Sequence, residues 1–152
     1  MTRLTIKVPE TEKELEDWQQ VHNTVIPTHH LSLDDVRDRV ARHHILVAYL
    51  DDAAIGSTTV RPPTEDSPAA TVIARVLPEH RRQGFGTELY ERAMARAREL
   101  EPQEIETVVL SSNEDGLRFA GKHGFVEFDR YTLPGEAVPW VDLRLARVSR
   151  TG

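Results

Sequence analysis

One short segment, Val76–Thr87 with the sequence VLPEHRRQGFGT, constrains the fold of this chain more than any other. A strand is expected to end at Pro78, because proline has no N–H group to offer a neighbouring strand. A helix is expected to begin at about Gly84, since the residues after it have helical hydrophobic spacing. The first N–H groups of a helix lack partners, its dipole makes that end positive, and Gly84 and Gly86 leave the backbone open. The segment therefore predicts a strand–loop–helix unit that binds a phosphate or pyrophosphate group.

Two common nucleotide-binding motifs do not fit this segment. A Walker A loop requires Lys followed by Ser or Thr after its last glycine, whereas Phe85, Gly86 and Thr87 follow Gly84 without a lysine. A dinucleotide-binding fingerprint requires glycine or alanine three residues after the second glycine, where this chain has Leu89. The anion therefore has to be identified from a longer pattern.

Hydrophobic periodicity and capping residues predict strands and helices in the order βααβββαβαββ. Thr11 with Glu14 forms a capping box, and Ser32 is the N-cap of the next helix. This order predicts a single α/β (α+β) domain over residues 1–152, with a mixed, mostly antiparallel sheet flanked by helices. The predicted strands are Arg3–Val8, Ile45–Leu50, Ala54–Arg61, Ala70–Leu77, Ile105–Ser111, Phe125–Leu133 and Trp140–Val148. The predicted helices cover residues 11–22, 32–42 and 84–100, with a short one that Asn113 caps and Gly124 closes.

Charge and composition narrow the class of function. The formal net charge is −6, whereas a protein that binds nucleic acid is expected to carry a basic surface. The chain has no cysteine, which excludes disulfides, thiolate metal sites and a cysteine nucleophile, and we expect no bound metal. No segment approaches the roughly 20 apolar residues of a membrane span. We therefore expect a cytoplasmic protein with no nucleic-acid or membrane partner.

The longer pattern V-x-P-x-x-R-x-x-G-x-G, from Val76 to Gly86, resembles motif A of the GNAT superfamily of acetyl-CoA-dependent N-acyltransferases. A second segment, from Asn113 through Phe119 to Gly124 and Phe125, is similar to the family's later Asn to Gly-Phe segment. The predicted order of elements also matches the family's fold. The resemblance covers most of the chain and implies acetyl-CoA, or coenzyme A, as the co-substrate.

The resemblance also implies which residues bind the cofactor. The strand before the loop pairs with the pantetheine arm, and one of its N–H groups polarises the thioester carbonyl. The loop N–H groups hold the pyrophosphate, with Arg81 and Arg82 adding positive charge at its mouth. Asn113 bonds the pantetheine arm, serves only as an N-cap, or does both. The implied cofactor-binding residues are Ala74, Arg75, Val76, Arg81, Arg82, Gln83, Gly84, Phe85, Gly86, Thr87 and Asn113.

The implied reaction is direct acetyl transfer to a primary amine, without a covalent enzyme intermediate. The chain lacks both usual catalytic side chains, because Ala120 stands where many members have a Tyr acid and Val108 where some have a Glu base. The catalytic residues therefore stay open. The candidate bases are His29, His30 and Asp34, and the candidate acids are water, Tyr131 and Tyr90.

Several alternatives remain at this point. A catalytically weak or inactive domain that binds acyl-CoA as a sensor or interaction module would also lack these side chains. The acceptor is a small-molecule amine, an amino acid or antibiotic, or a protein N-terminus. Arg75, a charge in a central strand, either binds an acceptor carboxylate or pairs with an acid at the edge of the core. Exposed strand edges and Trp140 suggest a homodimer, although a tryptophan of this kind is more often a core residue.

Overall fold

The computed structural model of the chain describes residues 4–145. Its strands are β1 (Leu4–Lys7), β2 (His44–Leu50), β3 (Ala53–Arg61), β4 (Ala69–Val76), β5 (Glu104–Leu110), β6 (Phe125–Tyr131) and β7 (Trp140–Leu145). Its α-helices are α1 (Glu12–Val25), α2 (Leu33–Arg42), α3 (Phe85–Glu99) and α4 (Glu114–Lys122), and a single 3-10 turn covers Pro78–His80. The predicted order of elements is confirmed, and the ends of β1 and β7 at Arg3 and Ala146–Val148 lie outside the described residues.

All seven strands form one sheet in the order β1-β2-β3-β4-β5-β7-β6. Only β4 and β5 run parallel, and every other neighbouring pair is antiparallel. The predicted mixed, mostly antiparallel α/β sheet flanked by helices is therefore confirmed. None of the helices within residues 4–145 is long and apolar enough to cross a membrane.

The first two helices cover one face of the sheet, which we call the α1 face. Both begin with capping boxes, Thr11 with Glu14 and Ser32 with Asp35, in which side chain and backbone satisfy each other's N–H groups. The first helix extends past the predicted His22 to Val25, and it ends before Pro27, which disfavours helical geometry at the preceding residue. Trp18, Leu31, Val36, Ile45 and Val47 form the core beneath these helices.

The third helix packs on the opposite face of β3 and β4 through Leu89, Ala93 and Ala97. Gly56 of β3 permits this close approach, because a Cβ there would lie 2.7 Å from Leu89 Cδ1 and 2.8 Å from the carbonyl oxygen of Arg75. The position of α3 fixes the loop that precedes it against the end of β4.

Trp140 lies in the core. It is 6% exposed and packs with Ile26, Ile73, Val108 and Leu110. Burial of the indole supports its assignment as a core residue, and the homodimer stays a prediction.

Candidate active site

The loop between β4 and α3 presents a row of unpaired backbone N–H groups. Arg82 and Gly84 have φ of 64° and 86°, so two residues just before α3 have left-handed backbone conformation. In the part of the chain that the structure describes, the following N–H groups donate to no protein acceptor: Arg82, Gln83, Gly84, Phe85, Gly86 and Thr87. Together with the positive end of the α3 dipole, they form a site for a phosphate-type anion.

Arg81 braces this loop. Its Nε donates to the Val76 carbonyl at 2.9 Å, and its Nη1 donates to Asp115 of α4 at 3.0 Å. The Arg81 guanidinium also holds the pKa of the Asp115 carboxyl below its usual value. Of the two arginines predicted to add charge at the mouth, Arg81 is thus engaged in holding the loop to β4 and α4, while the side chain of Arg82 is exposed.

The sheet opens next to the loop. β4 and β5 pair only where Ala69–Thr71 meets Glu104–Glu106, and beyond that point the two strands separate. The Leu77 N–H donates to Ile55 of β3, so by alternation the N–H and C=O groups of Val76 point away from β3 and into the gap. The contact from Arg81 to the Val76 carbonyl has the same direction. The Val76 N–H is therefore directed into the opening between the strands.

A cavity of about 470 Å³ fills this opening and continues to the loop. Of the predicted cofactor-binding residues, its wall contains Ala74, Arg75, Val76, Arg81, Arg82, Gly84, Gly86, Thr87 and Asn113. Gln83 and Phe85 do not line it, and Phe85 is instead buried in the core against Leu89. The structure thus brings most of the predicted residues to one cavity. Within residues 4–145 no cluster of three or more His, Asp or Glu side chains is arranged to hold a metal ion.

The fourth helix forms the far wall of the cavity, and its first turn is tightly packed. Asn113 caps α4 by accepting a hydrogen bond from the Gly116 N–H at 3.1 Å. A Cβ on Gly116 would lie 2.6 Å from Asn113 Nδ2 and 2.9 Å from Val109 Cγ1, whereas a Cβ on Gly121 would meet nothing within 4 Å. Gly116 is thus required for the position of Asn113, and Gly121 is not.

We therefore expect opposite effects from alanine at these two glycines. Gly116→Ala should lower the free energy of unfolding by about 1–2 kcal/mol, because overpacking outweighs the gain in helix propensity. It should also weaken coenzyme A binding by displacing Asn113. Gly121→Ala should raise stability by about 0.5–1 kcal/mol and leave binding unchanged. Urea unfolding and calorimetry measure both quantities, and equal effects of the two substitutions would contradict the assigned role of Gly116.

The two candidate tyrosines have different surroundings. Tyr90 of α3 lies in the cavity wall with its ring 4.4 Å from that of His123, and it packs with the cluster that contains Ala120. Burial raises the pKa of Tyr90, so its hydroxyl keeps its proton. Tyr131 does not line the cavity, and its hydroxyl donates to Asp142 at 3.2 Å. Burial and the Asp142 charge raise the pKa of Tyr131 to about 12.

On the α1 face, the side chain of Arg75 meets a buried histidine. His22 Nδ1 lies 3.5 Å from Arg75 Nη1, and His22 Nε2 lies 3.0 Å from the carbonyl oxygen of His29. Because Arg75 can only donate, these contacts assign the ring proton to Nε2, which donates to His29. Burial and then the Arg75 charge lower the pKa of His22 to about 3, so the ring is neutral at physiological pH.

The candidate bases differ in their surroundings. His29 Nδ1 lies 3.1 Å from Glu136 Oε2, and the other oxygen of Glu136 accepts a hydrogen bond from Trp140 Nε1 at 3.0 Å. These two hydrogen bonds, that from His29 first, lower the pKa of Glu136. If Nδ1 donates to this carboxylate, His29 Nε2 keeps a free lone pair. The ring of His29 also stands edge-on to Trp140, with centroids 5.9 Å apart.

The other two candidate bases lie on the surface. His30 is exposed, and its Nε2 lies 3.1 Å from the amide of Asn23. Asp34 is exposed and pairs with Arg37 one turn along α2. Of the three candidate bases, His29 is thus the one that contacts Trp140, a core residue packed against Ile26, Ile73 and Val108 of the cavity wall. His29 itself does not line the cavity.

Sequence reasoning missed His22 and Glu136. The spacing of Trp18, Val21 and Val25 on α1 also places His22 near the buried side, a signal that was present. Glu136 has no local signal, because its partner His29 is more than a hundred residues away in sequence.

Comparisons with known proteins agree with this geometry. Residues 10–125 match the model of the acetyltransferase (GNAT) family. Ard1 from Thermoplasma volcanium is structurally similar, with 18% identity over 95% of this chain and 99% of that chain and a TM-score of 0.77. The yncA protein from Salmonella typhimurium, solved with its cofactor acetyl-CoA, has 15% identity over 98% and 96% of the two chains and a TM-score of 0.75. The ribosomal-protein-S18-alanine N-acetyltransferase from Escherichia coli has 17% identity over 99% and 97% and a TM-score of 0.74.

At these identities the structural likeness establishes the fold. No curated protein is similar enough in sequence to match the chain. The family model spans most of the chain and includes both the loop of unpaired N–H groups and the capped helix α4. The chain therefore belongs to the acetyltransferase (GNAT) family.

Proposed function

We propose that this protein is an N-acetyltransferase that moves an acetyl group from acetyl-CoA to the primary amine of a small molecule. The observation that carries this proposal is the continuity of one cavity from the unpaired N–H groups before α3 to the opening between β4 and β5. A pyrophosphate suits the first part, and an extended arm that takes the place of a strand suits the second.

The residues present fit coenzyme A. The loop N–H groups from Arg82 to Thr87 would hold the pyrophosphate, and Ala74 and Val76 would pair with the pantetheine arm across the gap. Asn113 stands on the opposite side of the same cavity. Acetyl-CoA, when bound, supplies an activated thioester whose carbonyl carbon accepts a nucleophile.

The protein's own groups would then act on this carbonyl. The Val76 N–H, directed into the gap, would donate to the carbonyl oxygen and stabilise the negative charge that develops there. His29 would take a proton from the attacking amine, and Glu136 would hold the imidazole and stabilise its charged form. A C–N bond would form as the C–S bond breaks. Because Ala120 has no proton to donate, a water or the Tyr90 hydroxyl would return a proton to the departing sulfur.

A second function is favoured by one specific observation. Ala120 is buried in the cavity wall and has no group that can donate a proton. A domain that binds acyl-CoA as a sensor, without turnover, would have the same loop and the same gap and would need neither acid nor base.

Two measurements separate these functions. Calorimetry with acetyl-CoA tests the binding that both require, and no detectable binding at millimolar ligand would exclude both. A thiol-release assay against a broad panel of amines tests turnover, and release at the protein-free rate throughout would favour the sensor. If turnover occurs, Tyr90→Phe distinguishes the two proton donors, since an unchanged kcat would assign the step to water.

A further inference from the structure

Arg75 is a buried cation without an anionic partner. It is 8% exposed, and no carboxylate in the described residues lies within 4.0 Å of its guanidinium. The pairing with an acid at the core edge, left open from sequence, is therefore not found among them. Its side-chain contact is the neutral ring of His22, at 3.5 Å. A buried charge is costly unless it is paired, so Arg75 requires another explanation.

Two more arginines, Arg61 and Arg39, act electrostatically on Arg75. Arg61 of β3 lies opposite Thr71 in the register, and alternation places it on the same face as Arg75. Arg39 belongs to α2, a helix that packs on the same face of the sheet. Burial is the largest cause that lowers the pKa of Arg75, to about 9, and the charges of Arg61 and Arg39 follow. The charges of Arg61 and Arg39 thus disfavour the charge of Arg75.

Nearby acids compensate only the outer two arginines. Burial is the largest cause that lowers the pKa of Arg61 and that of Arg39, and nearby carboxylates oppose this shift: Asp142 at Arg61, and Asp35 and Asp38 at Arg39. No acid contributes to the pKa of Arg75. The uncompensated positive charge is therefore centred on Arg75.

Arg75 is also one of the residues in the wall of the cavity. Arg75 lines the cavity together with Ile26, Ile73 and Val108, which belong to the α1 face of the opening between β4 and β5. Thr59, opposite Ile73 in the register, has a buried hydroxyl with no hydrogen-bond partner among the described residues. The anion loop before α3 is a separate site, because its donors are backbone N–H groups beyond the end of β4.

We propose that Arg75 binds the carboxylate of the acceptor, and that the acceptor is an amine that also carries a carboxylate, such as an amino acid. This inference rests on the proposed acetyltransferase function and narrows its substrate class. A carboxylate matches the planar fork of a guanidinium and neutralises the charge that no protein group neutralises. His22 positions the guanidinium, and Arg61 and Arg39 add an attractive field.

The test uses matched pairs of acceptors, each an amino acid and its carboxamide, in α-amino and longer ω-amino series. We expect kcat/KM to be at least about tenfold higher for the acid of a preferred pair. Arg75→Met should remove this preference by lowering the value for the acid alone, and Arg75→Lys should restore part of it. The Kd for acetyl-CoA should not change, since no side-chain atom of Arg75 is assigned to the cofactor. Arg92→Met, an exposed arginine of α3, is the control and should behave as wild type.

The outcomes separate the two proposals. Equal transfer to both members of every pair, or an equal loss for both in Arg75→Met, would overturn the carboxylate subsite and leave the acetyltransferase intact. A clear fall in Tm for Arg75→Met would also overturn it, because removal of an unpaired buried charge should not destabilise the fold. If no acceptor is used, calorimetry of the same amino acids with the coenzyme A complex decides the subsite. Binding that is present in wild type and lost in Arg75→Met supports it, and no binding in wild type overturns it.

Discussion

Gly84→Val is expected to weaken coenzyme A binding by about 30-fold, which corresponds to about 2 kcal/mol. Gly84 has φ of 86°, a conformation in which a β-branched side chain is strained by about 1–2 kcal/mol. Relief of that strain turns the N–H groups of Gly84 and Phe85 away from the anion, and each lost charge-assisted hydrogen bond adds about 1.5 kcal/mol or more. Calorimetry with coenzyme A measures the effect.

Gly135→Val is the matched control for this substitution. Gly135 has φ of 82°, and a Cβ there, as at Gly84, meets nothing within 4 Å. Both variants should lose similar stability in urea unfolding, because the backbone strain is similar. Only the Gly84 variant should lose coenzyme A binding. A similar loss of affinity in both variants would mean that general destabilisation, not the loop, accounts for the effect.

His29→Gln is expected to lower kcat/KM by about 100-fold, the lower end of the contribution of a positioned general base. The Kd for acetyl-CoA should not change, because His29 lies on the α1 face, away from the pyrophosphate loop. Steady-state thiol release measures kcat/KM, and calorimetry measures the Kd.

Two further variants make this prediction specific. Glu136→Gln keeps an oxygen that can accept from His29 but removes the negative charge, so we expect a smaller loss, of about tenfold. His30→Gln changes an exposed ring held by Asn23 and should have no effect. An unchanged kcat/KM in His29→Gln would remove His29 as the base.

Local chemistry made much of the fold predictable. The capping boxes at Thr11 and Ser32 depend on residues three positions apart, and Pro78, Gly84 and Gly124 act through their own backbone geometry. Each of these signals depends on only a few neighbouring residues, so the elements and their order can be predicted from the sequence. The predicted ends of the strands differ from the observed ends by a few residues, because the neighbouring strand determines where pairing stops.

The loop of the candidate site was predictable for the same reason, and the catalytic residues were not. The N–H groups from Arg82 to Thr87 belong to consecutive residues. By contrast, His29 and Glu136 are distant in sequence. They meet only because the connection between β6 and β7, which contains Glu136, lies beside the segment that follows α1. The sequence could name His29, His30 and Asp34 as candidates, but no local rule distinguishes an imidazole beside a carboxylate from one beside Asn23.

Arg75 illustrates the same difference between what the sequence and the tertiary structure determine. Its sequence position determines that a charge lies in a central strand, and the Val76–Thr87 segment that follows determines that an anion-binding loop begins there. Only the tertiary structure decides that the guanidinium meets His22, that Arg61 and Arg39 share its face, and that no described acid neutralises it. The physical reason is range: backbone geometry and capping act over a few residues, whereas strand register and helix packing determine which distant charges become neighbours.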